Sequence, residues 1–301
     1  MRTGEILLEE IPGPFDLQST VESGQTYLWR REDGMMFEDS ELYGGDAWYY
    51  TVLPASYTGE DAEVIKVRQL DEVLEWRSTF DADNALRELL RLEDDLERIE
   101  RELPGHDVVE QAFDRFRGMR LVKDPVFPCL ISFICSAQMR VERIQKMQEE
   151  IAESFGSSAE FDGETYYSFP DPLELSEASE DDLRDCGLGY RAPYVESTAK
   201  KIASGDHHPL DASSLDYKEA RDHMKQFTGV GDKVADCVLL FSLGFLEAVP
   251  LDTWIRTSIE EHFPECDAGS YEKTSELIRQ ELGGDLAGYA QTYVFLHLRT
   301  S

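Results

Sequence analysis

The sequence predicts an α+β chain: an N-terminal domain built on an antiparallel β-sheet, followed by a mostly helical domain. Three observations lead there. Before Asp71 the chain holds short β-branched or aromatic runs separated by turn dipeptides. After it, apolar residues recur at helical spacing. A chain of 301 residues with a 41% apolar share is also long enough for two modest cores.

Strands are expected at residues 4–10, 25–30, 47–53 and 62–69, punctuated by Gly13-Pro14, Asp33-Gly34 and Gly44-Gly45. From Asp71 the period turns helical, and Leu86, Leu89, Leu90, Leu92 and Leu96 form an apolar stripe among Arg and Glu. Beyond Pro125, helices are expected at residues 129–135, 141–155, 192–203, 217–226, 233–243, 253–262, 271–282 and 286–298. Residues 171–185 are acidic and Ser-rich, yet Leu173, Leu175 and Leu183 recur there, which indicates short helices rather than a linker. The division falls at residues 1–120 for the sheet-bearing domain and 121–301 for the helical one. There is no internal repeat.

Charge is the unusual feature. Asp plus Glu outnumber Lys plus Arg by 62 to 29, for a net −33. A nucleic-acid binder would ordinarily be basic, because neutralising phosphates supplies much of the affinity. Either the protein avoids nucleic acid, or it works where charge is heavily screened; at molar salt the Debye length is only ~3 Å. The absence of lysine before Lys66 suits a salt-adapted surface, and a halophilic setting is the reading adopted. No apolar run is long enough to span a membrane. Arg2 and Glu5 interrupt any signal-peptide core, so a prokaryotic, high-salt cytoplasm is expected. The cysteines (Cys129, Cys135, Cys186, Cys237, Cys266) are scattered, with no C-x-x-C pair, which speaks against a disulfide framework and against a zinc site.

The most informative segment runs from Phe227 to Cys237. Gly229-Val230-Gly231 lies between two helical patterns and allows a tight turn with outward N–H groups. Together with the next helix start, these could hold one phosphate without reading sequence. Alone, such a turn is more often a helix connector. Lys233 falls in the first turn of that next helix, where the macrodipole disfavours a cation. A surface lysine gains nothing there, whereas one acting as a neutral amine does. Further on, Ala248-Val249-Pro250-Leu251-Asp252-Thr253-Trp254 turns into another helix with Asp252 as its N-cap. The cap by itself explains that aspartate; a fixed carboxylate also suits stabilising positive charge on a sugar.

The Gly229-Val230-Gly231 hairpin, Lys233 and Val249-Pro250-Leu251-Asp252 resemble the helix-hairpin-helix glycosylase signature. More narrowly, the chain resembles the 8-oxoguanine DNA glycosylases. Ser23-Gly24-Gln25-Thr26-Tyr27-Leu28-Trp29-Arg30 is similar to that family's N-terminal strand motif, and Ser132 to Ser136 to the start of its central helix. Gly187 to Ala192 and Tyr289-Ala290-Gln291 with Phe295 match two further blocks, all in family order.

The resemblance implies that Lys233 attacks C1′ of the damaged nucleotide, with Asp252 stabilising cationic sugar and shuttling protons. The resulting Schiff base permits β-elimination, so the chain would be both glycosylase and lyase. It further implies that the Gly24 carbonyl accepts from N7–H of the oxidised purine, where guanine has an acceptor. Cys237 and Phe295 would sandwich the flipped base, and Gln291 would read its Watson–Crick edge. Arg143 and Arg191 would hold the orphaned cytosine, Tyr190 would wedge the stack, and Gln138 would fill the gap. Taken singly, Gly24 suits an ordinary turn, and Phe295 and Cys237 suit helix core.

Some positions depart from the family. Gln138, Met139 and Arg140 stand where animal members carry three asparagines, Trp254 where some carry histidine, and Thr228 where proline is common. Only Cys266 follows Asp252, which is incompatible with the four-cysteine iron–sulfur cluster of related enzymes. The partner implied is duplex DNA containing an oxidised purine, bound by a monomer, with no cofactor beyond a structural cation at the hairpin. The competing readings are a glycosylase for alkylated or deaminated bases, a non-catalytic helix-hairpin-helix module, and an acidic protein adaptor.

Overall fold

The structure is a computed structural model and describes residues 1–37, 46–59 and 61–301. Strands β1 (Arg2–Leu7), β2 (Arg30–Arg31), β3 (Tyr49–Leu53), β4 (Glu63–Leu70) and β5 (Val73–Ser78) form an antiparallel sheet in the order β1-β5-β4-β3-β2. The β4–β5 hairpin closes tightly, with Leu70 opposite Val73. Gly4 lies beneath Trp76, whose ring a Cβ would meet at 2.4 Å, so the first strand can approach its neighbour only with glycine there.

Three sequence expectations need correction here. The helical period does not begin at Asp71, because β5 intervenes. Its alternation, with Leu74, Trp76 and Ser78 buried and the residues between them partly exposed, is a period-two signal that the charged residues mask. Of the strand expected at residues 25–30, only Arg30 pairs. The segment before it is held from the side instead, with Gln25 donating to the Arg120 carbonyl (2.7 Å) and accepting from Val122 N–H (2.9 Å). Side-chain amides take the place of a ladder. Finally, β6 (Ser158–Phe161) and β7 (Glu164–Tyr167) form an unexpected hairpin. Asp162 and Gly163 both have positive φ at its turn, and Phe161 and Tyr166 pack against Val52 and Val64 of the large sheet. The Gly44-Gly45 turn signal lies outside the described residues.

The helices follow their patterns closely. They include Val126–Cys135, Val141–Phe155, Ala192–Ala203, Tyr217–Met224, Asp232–Phe241, Thr253–His262, Tyr271–Glu281 and Ala287–Arg299. Residues 171–185 carry two short helices, Pro172–Ser176 and Glu180–Asp185, each opened by a capping box. One core lies beneath the sheet and contains Trp29, Ile65 and Leu74; the larger one fills the helical half. Tyr27 belongs to the helical core and Trp29 to the sheet core, so the irregular segment through Gly24 threads the seam between them. Fully buried Arg120 reinforces that seam by donating to the carbonyls of Pro12, Arg91 and Asp94.

Candidate active site

A cavity of about 740 Å³ opens where six elements converge: the seam segment, the end of Val126–Cys135, the start of Val141–Phe155, the start of Asp232–Phe241, the start of Thr253–His262 and the last helix, Ala287–Arg299. Its walls include Gly24, Gln138, Lys233, Cys237, Asp252, Gln291 and Phe295. These residues are scattered over most of the chain, and the fold brings them to one place.

Lys233 sits one residue inside its helix, whose N-cap is Gly231. Its Nζ donates to Ser136 Oγ at 3.2 Å and stands 5.2 Å from the centre of the Phe133 ring. Among the described residues it makes no ion pair within 4 Å. Asp252 caps the helix Thr253–His262, accepting from Ile255 N–H at 2.9 Å. Burial raises its carboxyl above the usual carboxylate range; the Ile255 hydrogen bond and the Lys233 charge oppose the rise. Asp252 thus feels the Lys233 charge across a cavity that both line. Buried Cys237 lies one turn along from Lys233, and burial pushes its thiol up to about 12, so it acts there as a neutral apolar wall.

Gly24 adopts φ +92°, which favours glycine. A Cβ there would also meet Arg299 Nη1 at 2.8 Å, Val141 Cγ1 at 3.3 Å and Phe295 Cε1 at 3.4 Å. Among the described residues nothing donates to its carbonyl. Arg299 was not singled out in the sequence. Its Nη2 donates to the Glu22 carbonyl at 2.7 Å and its guanidinium stands 5.6 Å from the Phe295 ring centre, which ties the last helix to the Gly24 turn. A lone arginine near a chain end carries no sequence signal of this. Ser136 and Phe133 lay within a recognised block, but only the fold shows that they meet the lysine. Gln291 is buried, and its Oε1 accepts from Thr292 Oγ1 at 3.4 Å.

Outside the lining lie Arg143, Tyr190, Arg191 and the hairpin glycines; the lining itself includes Gln138. That residue has φ +56°, a left-handed conformation that is strained for a side chain other than glycine or asparagine. Tyr190 is 54% exposed and Arg191 only 4%, so of the pair the tyrosine projects and the arginine is packed in. The Arg191 guanidinium lies 4.3 Å over the Tyr190 ring and donates to the Ala137 carbonyl, next to Gln138. Exposed Arg143 packs beside Gly187, where a Cβ would come within 3.2 Å of its Nη2. In the hairpin, Gly229 has φ +85° and sits against Tyr194, whereas Gly231 is extended and a Cβ there would meet nothing within 4 Å. The second glycine therefore leaves open space outside the protein rather than answering an internal need.

A cavity lined by a helix-start lysine and a capping aspartate, next to a helix-hairpin-helix, is the arrangement of a base-excision DNA repair fold. Residues 131–283 match the HhH-GPD superfamily base excision DNA repair proteins, and residues 8–130 match the 8-oxoguanine DNA glycosylase N-terminal domain. The chain belongs to this 8-oxoguanine DNA glycosylase family. A probable N-glycosylase/DNA lyase of Methanothermobacter thermautotrophicus is 34% identical over 96% of this chain and 95% of its own length. The Clostridium acetobutylicum 8-oxoguanine glycosylase/lyase, solved with duplex DNA containing cytosine opposite 8-oxoG, superposes with TM-score 0.82 at 30% identity, covering 95% of this chain and 92% of that one. A 3-methyladenine DNA glycosylase from Archaeoglobus fulgidus shares the fold (TM-score 0.74, 98% of each chain) at only 20% identity.

Proposed function

We propose that this protein excises 8-oxoguanine from duplex DNA and then cleaves the strand, as an N-glycosylase/DNA lyase. The observation that carries the reading is the convergence of Lys233 and Asp252 on one cavity that is also lined by Gly24, whose carbonyl has no donor among the described residues. The Lys233 amine forms a bond to C1′ as the C1′–N9 bond breaks, and the electron pair leaves with the base, which takes up a proton. Opening of the sugar gives a Schiff base. Loss of a C2′ proton then expels the 3′ phosphate by β-elimination. Asp252 opposes the positive charge that develops at the sugar.

In this reading the Gly24 carbonyl accepts from N7–H of the lesion, Gln291 meets its Watson–Crick edge, and Phe295 and Cys237 enclose its faces. Gln138 occupies the vacated stack, Tyr190 wedges it open, and Arg143 and Arg191 face the opposite base. The packing of Arg191 beneath Tyr190 means that its reach depends on the tyrosine's position. The Gly229-Val230-Gly231 hairpin receives one phosphate, and open space at Gly231 supports close backbone approach. The reaction needs no cofactor, since lysine supplies the nucleophile; a cation at the hairpin would be structural only. The protein acts as a monomer at molar salt, where screening removes the long-range repulsion between a net −33 chain and DNA.

The test is excision of 8-oxoguanine opposite each of the four bases at high salt, with alkylated and deaminated lesions as comparators, for wild type and Lys233→Gln. The wild type is expected to release 8-oxoguanine and to be trapped on DNA by borohydride. Lys233→Gln is expected to bind damaged DNA but give neither product nor adduct. Undiminished cleavage by the variant would rule out the lysine mechanism.

A further inference from the structure

Asp236 lies one helical turn beyond Lys233 and is completely buried, yet it is not among the residues that line the cavity. Burying a carboxylate is expensive, and an apolar residue of similar size would stabilise the helix at least as well. The reason for its presence lies in what it holds. Tyr217 donates to Oδ1 at 2.8 Å and Tyr271 to Oδ2 at 2.7 Å, while the Arg221 guanidinium stands 3.8 Å from Oδ2. The Tyr271 hydroxyl oxygen also accepts from the backbone N–H of Leu251, at 3.1 Å. Leu251 is buried and immediately precedes Asp252. Two hydrogen bonds therefore run from the lysine helix, through one phenol, to the backbone that carries the aspartate.

Resting on the function proposed above, we propose that Asp236 and Tyr271 are positioning residues, a latch that sets where Asp252 stands relative to Lys233. The covalent route between the lysine helix and Asp252 passes through residues 242–251, which have no regular secondary structure. Backbone hydrogen bonds from Leu243 and Phe245 N–H to the Val238 and Leu239 carbonyls hold the start of that segment to the lysine helix, but among the described residues none reaches from that helix to residues 246–250, so nearer the aspartate the latch is the hydrogen-bonded tie. A shift of order 1 Å in such a group can cost ~10²-fold in rate. Tyr217 provides an internal comparison, because it bonds the same carboxylate but makes no bond to the aspartate's loop.

The test compares Tyr271→Phe with Tyr217→Phe in the full chain. Its readouts are single-turnover excision of 8-oxoguanine, affinity for duplex DNA with a tetrahydrofuran abasic analogue, and hydrogen exchange at the Leu251 amide. Each substitution removes one phenol from Asp236, so a purely structural role predicts equal effects. The latch predicts that Tyr271→Phe slows excision roughly 10–100-fold and speeds exchange at Leu251. DNA affinity should stay unchanged, and Tyr217→Phe should remain near wild type in both rate and exchange. Asp236→Asn serves as a second probe and should follow Tyr271→Phe should that variant fail to fold. Equal excision and exchange in the two tyrosine variants, or a Tyr271→Phe loss confined to affinity, would overturn the latch. A wild type that excises nothing would instead refute the function itself, and Leu251 exchange would still report on the latch.

Discussion

At the scale of single residues, Asp252 does two jobs that can be separated by substitution. As an N-cap it accepts from Ile255 N–H, and as a carboxylate it shares the cavity with Lys233. Asparagine can cap but carries no charge. Asp252→Asn should therefore keep its unfolding midpoint close to wild type while excision collapses, whereas Asp252→Ala should additionally lose ~1 kcal/mol of stability. Because burial raises the Asp252 carboxyl, the acid side of the excision-rate profile should fall at a pH above the ordinary carboxylate range. That limb should be missing from the residual activity of Asp252→Asn. An unchanged acid limb in the asparagine variant would assign it to another group. Gly24 illustrates a different residue-level constraint, since its positive φ and the crowding by Arg299 both exclude a side chain. The reading of Gly24 as an ordinary turn glycine is thus half correct; it is a turn glycine at a place where the turn forms a wall of the site.

At the scale of elements, long helices with clear caps were legible from spacing, and the helix at Thr253–His262 begins at the residue its aspartate predicts. Short strands were not. In β5 the outward Glu75 and Arg77 resemble a helix surface, and only pairing with β1 and β4 on either side makes it a strand. The segment at residues 25–30 has strand-like composition, but the Gln25 side chain anchors it to the backbone at Arg120 and Val122, and Gln145 donates to its Trp29 carbonyl. Asp124, just before the helix Val126–Cys135, shows what such junctions cost. It is buried, and desolvation pushes its carboxyl up to about 7, against an unfolded value of 3.8. Between those values the folded protein keeps a proton that the unfolded chain releases. The stability this group contributes is therefore full below the unfolded pKa and is lost as pH rises through the folded one, by at most ~1.4 kcal/mol per pH unit. Asp124→Asn should flatten the fall in stability between pH ~4 and ~7 measured by denaturant unfolding. A slope identical to wild type would mean that the carboxyl is already ionised in the folded state.

At the scale of the whole molecule, acidic charge covers a protein whose cavity rim remains basic. Arg140 and Arg256 are exposed there beside Glu142, and among the described residues neither arginine makes an ion pair within 4 Å. By contrast, Arg87 alone is shared by Asp83, Glu10 and Glu93. A net −33 chain repels itself as well as DNA, and both effects shrink as the Debye length falls from ~10 Å at 0.1 M salt to ~3 Å at 1 M. The unfolding midpoint and the affinity for damaged duplex should both rise between roughly 0.1 and 2 M potassium chloride, the reverse of the ordinary salt dependence of DNA binding. A steady decline of affinity with salt, as for a basic protein, would count against the halophilic reading.

The linear sequence by itself determined the class of fold, the positions of the main helices, the cap at Asp252 and the glycine turn before Lys233. These are local or block-wise properties, carried by spacing, propensity and motif order. Tertiary structure alone decided that Gly24 and Phe295 meet across nearly the whole chain, that Arg299 ties the last helix to the first domain, and that Tyr271 links Asp236 to the backbone beside Asp252. Each depends on contacts between residues far apart in sequence, and a hydrogen bond of that kind has no periodicity to betray it before the chain has folded.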